Sequence, residues 1–238
     1  MQGRINQLLS FSTFDGPGTR AVVFMQGCPV GCLFCHNPET WDPAGGTLIT
    51  LDDLMRRLER FRSFLSRPAL TITGGEPLLQ FDFVMALCAA ARHEGWHVAL
   101  DTSACATPEK VLAAAAAVDL MMCSLKPEAD ATRLCKACGK PMQRSIAALR
   151  DQPTPVRLRY VLIPGFTDDD AVLRSLGAFA RTFPNLESVE LEPFNSLARE
   201  KWEALGMHSP LFDSPLPELH EQAIQRAREL VGVDLCMH

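Results

Sequence analysis

The chain has no surplus of basic residues, no apolar run long enough to span a bilayer and no even-numbered cysteine framework. Each lack excludes something. With 23 Lys and Arg against 28 Asp and Glu, the formal charge is −5. No positive field is present to collect a polyanion, so nucleic acid is not an expected partner. The lack of a long apolar run removes any expectation of a membrane helix. A charged-then-apolar leader is also missing from the start of the sequence, and a cytoplasmic location is expected. No Pro/Gly/Ser-rich linker interrupts the chain, so residues 1–238 read as one domain, a length common for α/β barrels.

Cysteine, by contrast, is plentiful. There are nine, an odd number with three tightly clustered, which does not fit a secreted disulfide scaffold. In a reducing compartment, clustered thiols point to metal ligation or redox chemistry. Cys28, Cys32 and Cys35 lie in Gly27-Cys28-Pro29-Val30-Gly31-Cys32-Leu33-Phe34-Cys35-His36-Asn37, a C-x3-C-x2-C spacing. Three thiolates can bind three irons of a cubane and leave the fourth open to a small molecule, whereas electron-transfer clusters use four cysteines. Gly27, Pro29 and Gly31 suit a tight loop around such a cluster, and Phe34 and His36 could touch whatever occupies the open iron. Zinc is the alternative, with His36 or the distant Cys135-Lys136-Ala137-Cys138 knuckle completing the site. Otherwise Cys135 and Cys138 read as a free pair or an occasional disulfide. Cys88, in an apolar helical run, reads as an inert buried thiol.

Short apolar runs at 21–25, 69–73, 97–101, 119–123, 156–163 and 188–192 predict strands. Helical periodicity occupies 51–65, 82–94, 108–117, 169–181 and 217–230. This alternation predicts an α/β fold: βα units with a parallel sheet buried on both faces. Six strands in sequence favour a curved sheet or partial barrel with outer helices. Thr50 before Asp52 and Asp53, Thr107-Pro108-Glu109 and Thr167-Asp168-Asp169-Asp170 read as capped helix starts, not catalytic acids. In such folds the site forms where strands end. The cysteine loop, Gly74-Gly75-Glu76-Pro77, Asp101-Thr102-Ser103, Ser124-Leu125-Lys126 and Pro193-Phe194-Asn195 all follow strands, so the chemistry gathers at one end.

The loop, together with Asp15-Gly16-Pro17-Gly18-Thr19-Arg20 before it and His36-Asn37-Pro38-Glu39-Thr40-Trp41 after it, resembles the radical S-adenosylmethionine (SAM) enzymes that activate glycyl radical enzymes. Within these it is most similar to the pyruvate formate-lyase-activating family. The resemblance continues through Gly74-Gly75-Glu76, Arg159-Tyr160-Val161-Leu162-Ile163-Pro164-Gly165 and Lys201-Trp202. It implies a partial (β/α)6 barrel, a 4Fe–4S cluster on Cys28, Cys32 and Cys35, and SAM as cofactor. It further implies reductive cleavage of SAM to a 5′-deoxyadenosyl radical, which takes a hydrogen from a glycine of a large partner enzyme. Such chemistry needs no side-chain acid or base, and no Ser/His/Asp or Cys/His constellation is seen. A flavodoxin or ferredoxin-type donor would supply the electron, and the chain is expected to act as a monomer.

By the same resemblance, Gly74 and Gly75 let backbone approach the methionyl group, Glu76 accepts from its ammonium and Lys126 pairs with its carboxylate. Asp15 would face the partner's glycine loop. Read without the resemblance, Gly74-Gly75 is a strand-ending turn, Lys126 a surface charge and Asp-Gly-Pro-Gly a turn. Two departures stand out. Relatives carry an aspartate where Ser124 stands, which bears on a monovalent cation site made by Asp101, Thr102 and the Met122 backbone. Relatives carry a histidine where Asn195 stands; the amide still hydrogen-bonds but does not titrate. The ferredoxin-like insert with eight further cysteines, found in many other activases, is absent between Trp41 and Thr50. A radical SAM enzyme acting on a small molecule is the alternative, although such synthases lack D-G-P-G-x-R followed by C-H-N.

Overall fold

The computed structural model describes residues 1–126, 133–136, 140–213, 219–233 and 235–236. In chain order its strands are β1 (Gln2–Ser12), β2 (Arg20–Met25), β3 (Thr47–Thr50), β4 (Ala69–Gly74), β5 (His97–Thr102), β6 (Leu120–Ser124), β7 (Val156–Leu162), β8 (Leu186–Pro193) and β9 (Leu235–Cys236). The helices are α1 (Leu51–Phe61), α2 (Phe81–His93), α3 (Pro108–Ala116), α4 (Lys140–Ala147), α5 (Asp170–Ala180), α6 (Arg199–Ala204), α7 (Pro210–Asp213) and α8 (Glu221–Val231). The strands form one sheet in the order β3-β1-β2-β4-β5-β6-β7-β8-β9. β1 runs antiparallel to β2 and β3, and every other pairing is parallel. The linear order leaves β3 and β9 as edges, so the barrel is open.

All six expected parallel strands form, as do the expected helices over the described residues. Residues 217 and 218 of the last predicted helix lie outside them. Thr50 caps α1, its hydroxyl accepting from Asp53 N at 3.1 Å. At α5 the cap is Asp169, which accepts from Ala171 N at 2.8 Å. Thr167, expected to take part in that cap, instead accepts from Ile163 N at 2.6 Å and donates to Val161 O at 2.8 Å. The Thr107 hydroxyl makes no cap bond to the backbone of α3, where Pro108 supplies the first helical position.

Sequence periodicity did not reveal how differently the two faces of the sheet are used. Alternate residues along each strand point to opposite sides. Val23 and Met25, Leu70 and Ile72, Val98 and Leu100, Met121 and Cys123, and Leu158 and Tyr160 join the main core with Leu54, Leu58, Val84, Leu87, Val111 and Leu176 of the helices. Each such apolar side chain removed from water stabilises the fold by about 1.5–3 kcal/mol. The residues between them face inward, and they are not the apolar set that a sheet buried on both faces would show. Thr71, Thr73, Arg157 and Glu190 are buried there. Ala99, Leu120 and Met122 make a small apolar cluster on that side.

Candidate active site

The cleft sits where the parallel strands end. It has a volume of about 620 Å³, and its walls include Cys28, Cys32 and Cys35 together with Asp101, Arg159 and Glu192. That volume lies within the roughly 300–1,000 Å³ usual for small-molecule sites. The cysteine loop follows β2, and its shape is set by glycine. Gly74 has φ +112°, and a Cβ there would stand 2.3 Å from Met25 N; at Gly75 it would stand 2.2 Å from Gly27 O. The glycines are thus demanded by the chain itself: Gly75 N donates to Met25 O at 2.9 Å and Glu76 N to Gly27 O at 2.8 Å. The backbone these glycines admit is that of the cysteine loop.

Further contacts strap the loop from the far end of the chain. Trp202 Nε1 donates to Cys35 O at 2.8 Å, and Ser209 Oγ to Leu33 O at 2.7 Å. Lys201 Nζ donates to His36 O and Asn37 Oδ1, each at 3.0 Å, and pairs with Glu39 at 2.7 Å. Trp41 packs edge-on against Trp202 and its Nε1 reaches Cys35 Sγ at 3.4 Å. The three thiols differ. Burial pushes Cys28 up to about 12 and Cys35 up to about 11. A hydrogen bond from Cys135 and the nearby Lys126 charge bring Cys32 down to about 7, against its burial.

Lys126 is 9% exposed and lines the cleft. Burial opposes its charge, but Cys32, Cys135 and Glu76 outweigh this and hold its pKa above the ordinary lysine value. Phe34 and His36 also line the cleft. Burial lowers the His36 pKa, so the neutral ring is favoured; its Nε2 lies 3.3 Å from Asn195 O. Asn195 lines the cleft too, with its Oδ1 accepting from Leu197 N at 3.1 Å.

Glu76 departs from its expected role. It is fully buried and does not belong to the cleft wall. Its Oε1 accepts from Leu78 N at 3.0 Å and Thr102 Oγ1 at 2.6 Å, while Oε2 accepts from Ser103 N at 2.9 Å and from the Ser103 hydroxyl. A carboxylate offers about four lone-pair positions, and all four are taken by protein donors. No acceptor position remains for a ligand ammonium.

Two of the expected cation residues are likewise engaged. Asp101 Oδ2 accepts from Thr73 Oγ1 at 3.0 Å and Arg159 Nη1 at 2.7 Å. The Thr102 hydroxyl donates to Glu76 Oε1 at 2.6 Å. Arg159 also pairs with Glu190 at 2.9 Å and with Glu192. Burial opposes its charge, yet Asp101, Glu192 and Glu190 more than compensate and hold the guanidinium ionised. Where a cation was expected, a protein cation already faces Asp101.

Asp15 lines the cleft beside the exposed Phe14. Arg20 holds it there: its Nη2 donates to Leu70 O at 2.6 Å, its Nη1 to Pro17 O at 3.2 Å and its Nε to Thr71 Oγ1 at 2.7 Å. Thr71 then donates to Asp15 O at 2.6 Å. The D-G-P-G-x-R run is therefore a tied turn that presents one carboxylate. Burial raises the pKa of that carboxylate, against a hydrogen bond from Ser12.

Residues 22–175 match the model of the radical SAM superfamily. The chain is 38% identical over 211 residues to the pyruvate formate-lyase 1-activating enzyme of Escherichia coli K12, covering 86% of this chain and 85% of that protein. It is 33% identical over 244 residues to the pyruvate formate-lyase-activating enzyme of Staphylococcus aureus USA300, covering 98% and 96%. The chain belongs to the radical SAM superfamily, among the pyruvate formate-lyase-activating enzymes. The fold agrees: a radical SAM methyltransferase from Sphaerobacter thermophilus superposes with a TM-score of 0.65 at 20% identity, over 92% of this chain and 66% of that one.

Radical SAM enzymes of this family work with a 4Fe–4S cluster and SAM. The donor set fits that pair: a cubane takes one thiolate per iron, which suits three thiols spread along a loop at a cleft wall.

Reading the sequence did not assign roles to Arg159, Lys201 or Trp202. They sit within segments shared with the family, the only signal they carried. Cys138, the expected neighbour of Cys135, lies outside the described residues. The Cys135 Sγ lies 3.4 Å from Cys32 Sγ.

Proposed function

We propose that this radical SAM enzyme installs a glycyl radical on a large partner protein of the formate-lyase type. Three thiols line the same cleft as Asp15, Asp101, Arg159 and Glu192, and Arg159 pairs with both Asp101 and Glu192 there; that convergence carries the reading. Cys28, Cys32 and Cys35 would hold the cluster. Lys126, Phe34, His36, Asn195 and the Gly74 backbone would position SAM. When bound, this pair of cofactors supplies one-electron cleavage of a C–S bond and a hydrogen-abstracting 5′-deoxyadenosyl radical.

The protein's own work is placement and exclusion. The Trp202, Lys201 and Ser209 bonds fix the loop, so the thiols stay aimed at the cleft. Arg159 neutralises Asp101 and takes the place of a monovalent cation in that role. Asp15, on its Arg20-tied turn, meets the partner's glycine loop. The enzyme acts in the cytoplasm as a monomer of one domain, with a flavodoxin or ferredoxin as electron donor. Among the described residues, no helix is long and apolar enough to cross a membrane.

Anaerobic incubation of the iron-loaded chain with SAM, reductant and candidate glycyl radical proteins, read by EPR, tests the reading. A carbon-centred glycine doublet on the partner is expected. 5′-Deoxyadenosine released without that signal for any candidate would move the assignment to a small-molecule substrate. Asp15→Ala should weaken radical installation far more than SAM binding; equal losses would make Asp15 structural.

A further inference from the structure

Cys135 lies 103 residues along the chain from Cys32, yet its Sγ lies 3.4 Å from Cys32 Sγ. This closeness is built by the backbone. Leu33 N donates to Leu134 O at 2.8 Å, and Lys136 N donates to Val30 O at 2.9 Å. The two bonds flank both cysteines, Cys32 between Val30 and Leu33, Cys135 between Leu134 and Lys136. Leu134 is buried with Ile163 and Leu211 in a cluster that Leu33, Phe34 and Cys135 pack against. Lys136 completes the clasp, its ammonium 5.1 Å from the Trp41 ring centroid and its stem against Gly31. The pair is thus fixed on both sides. Closing from 3.4 Å to a bond of about 2.0 Å asks for a small side-chain rotation with no large backbone shift. Both cysteines are partly exposed, so a small disulfide reagent can reach them.

We infer that Cys32 and Cys135 form a reversible disulfide that withdraws Cys32 from the cluster-binding set. The inference rests on Cys32 being a cluster ligand, as proposed above. In the cluster-free chain, a low-molecular-weight disulfide such as oxidised glutathione is the oxidant. One thiolate attacks it, releasing one glutathione thiol and leaving a mixed disulfide on the protein. The second cysteine thiolate then displaces the other glutathione. One S–S bond forms in the protein and one breaks in the reagent, with two electrons and two protons passing to two glutathione thiols. The product stores the ligand sulfur at a level that a thiol reductant recovers, short of irreversible oxidation.

The full-length, iron-free chain incubated anaerobically with oxidised glutathione provides the test. A non-reducing digest should contain a cross-linked peptide pair joining Cys32 to Cys135. Subsequent iron and sulfide uptake should fall roughly tenfold, and dithiothreitol should restore it. Cys135→Ser should load iron normally when reduced; after oxidant it should yield no cross-link and carry glutathione on Cys32. Cys135→Ala should behave alike, which separates the thiol's role from a packing effect. A Cys32 that stays open to alkylation in the oxidised wild type, or a cross-link joining Cys135 to Cys138, would overturn the inference. Reduced wild type that takes up no cluster would instead strike the proposed function, because the peptide map is read without iron.

Discussion

The outer and inner faces of the same strands do opposite work. Leu100 and Asp101 are neighbours on β5. Leu100 is fully buried among apolar helix residues, while Asp101 is tied to Thr73 and Arg159 in the cleft wall. The outer face gains stability from burial. On the inner face, Arg157, Arg159, Glu187, Glu190, Glu192 and Asp101 form a chain of ion pairs. Such networks add little net stability but are costly to break from one side. A single period-two strand can thus hold a fold and furnish a site, provided every inward charge has a partner.

Arg159→Met should show the largest effect, since it leaves Asp101, Glu190 and Glu192 without their shared cation. A loss of about 3–5 kcal/mol is expected in urea unfolding, and adding Asp101→Asn should recover part of it. Full stability in the single variant would mean the network is solvated and not a wall. Leu100→Ala, one residue away on the other face, should cost about 2–5 kcal/mol. Its SAM cleavage per bound cluster should stay near wild type; a loss of activity in proportion to stability would erase the division between the faces.

Glu76→Gln should cost about 1–3 kcal/mol, because an amide turns one acceptor into a donor facing Leu78 N or Ser103 N. SAM affinity should change little, and a large affinity loss with stability unchanged would return Glu76 to the ligand. On stability, Asp15→Asn should give the smallest effect, visible in its pH profile. The Asp15 pKa is raised by burial, so the folded chain binds this proton more tightly than the unfolded one. Its contribution is therefore full below the unfolded carboxylate value and is lost as pH rises through the raised one. The asparagine variant should flatten that acidic limb when unfolding midpoints are compared.

The six parallel strands were legible because each is a short apolar run between amphipathic helices. β1, at Gln2–Ser12, was not, because its burial is irregular and its pairing with β2 carries register shifts. The short strands β3 and β9 and the short helices α6 and α7 offered too few residues for a period. At the site, residue types and spacing gave the cysteine loop and the strand ends that surround it. They could not give direction. Glu76 read as a ligand because a buried carboxylate and an exposed one look alike in sequence. Cys135 was invisible as a neighbour of Cys32 because only folding closes the 103-residue separation between them.

The most direct measurement is of anaerobically reconstituted chain given SAM and a one-electron reductant, beside Cys28→Ala, Cys32→Ala and Cys35→Ala. The structure predicts about four irons and four sulfides per wild-type chain, 5′-deoxyadenosine release by wild type, and none by the three folded variants. Undiminished release from any variant, or a protein that retains a single zinc ion and no iron, would contradict it.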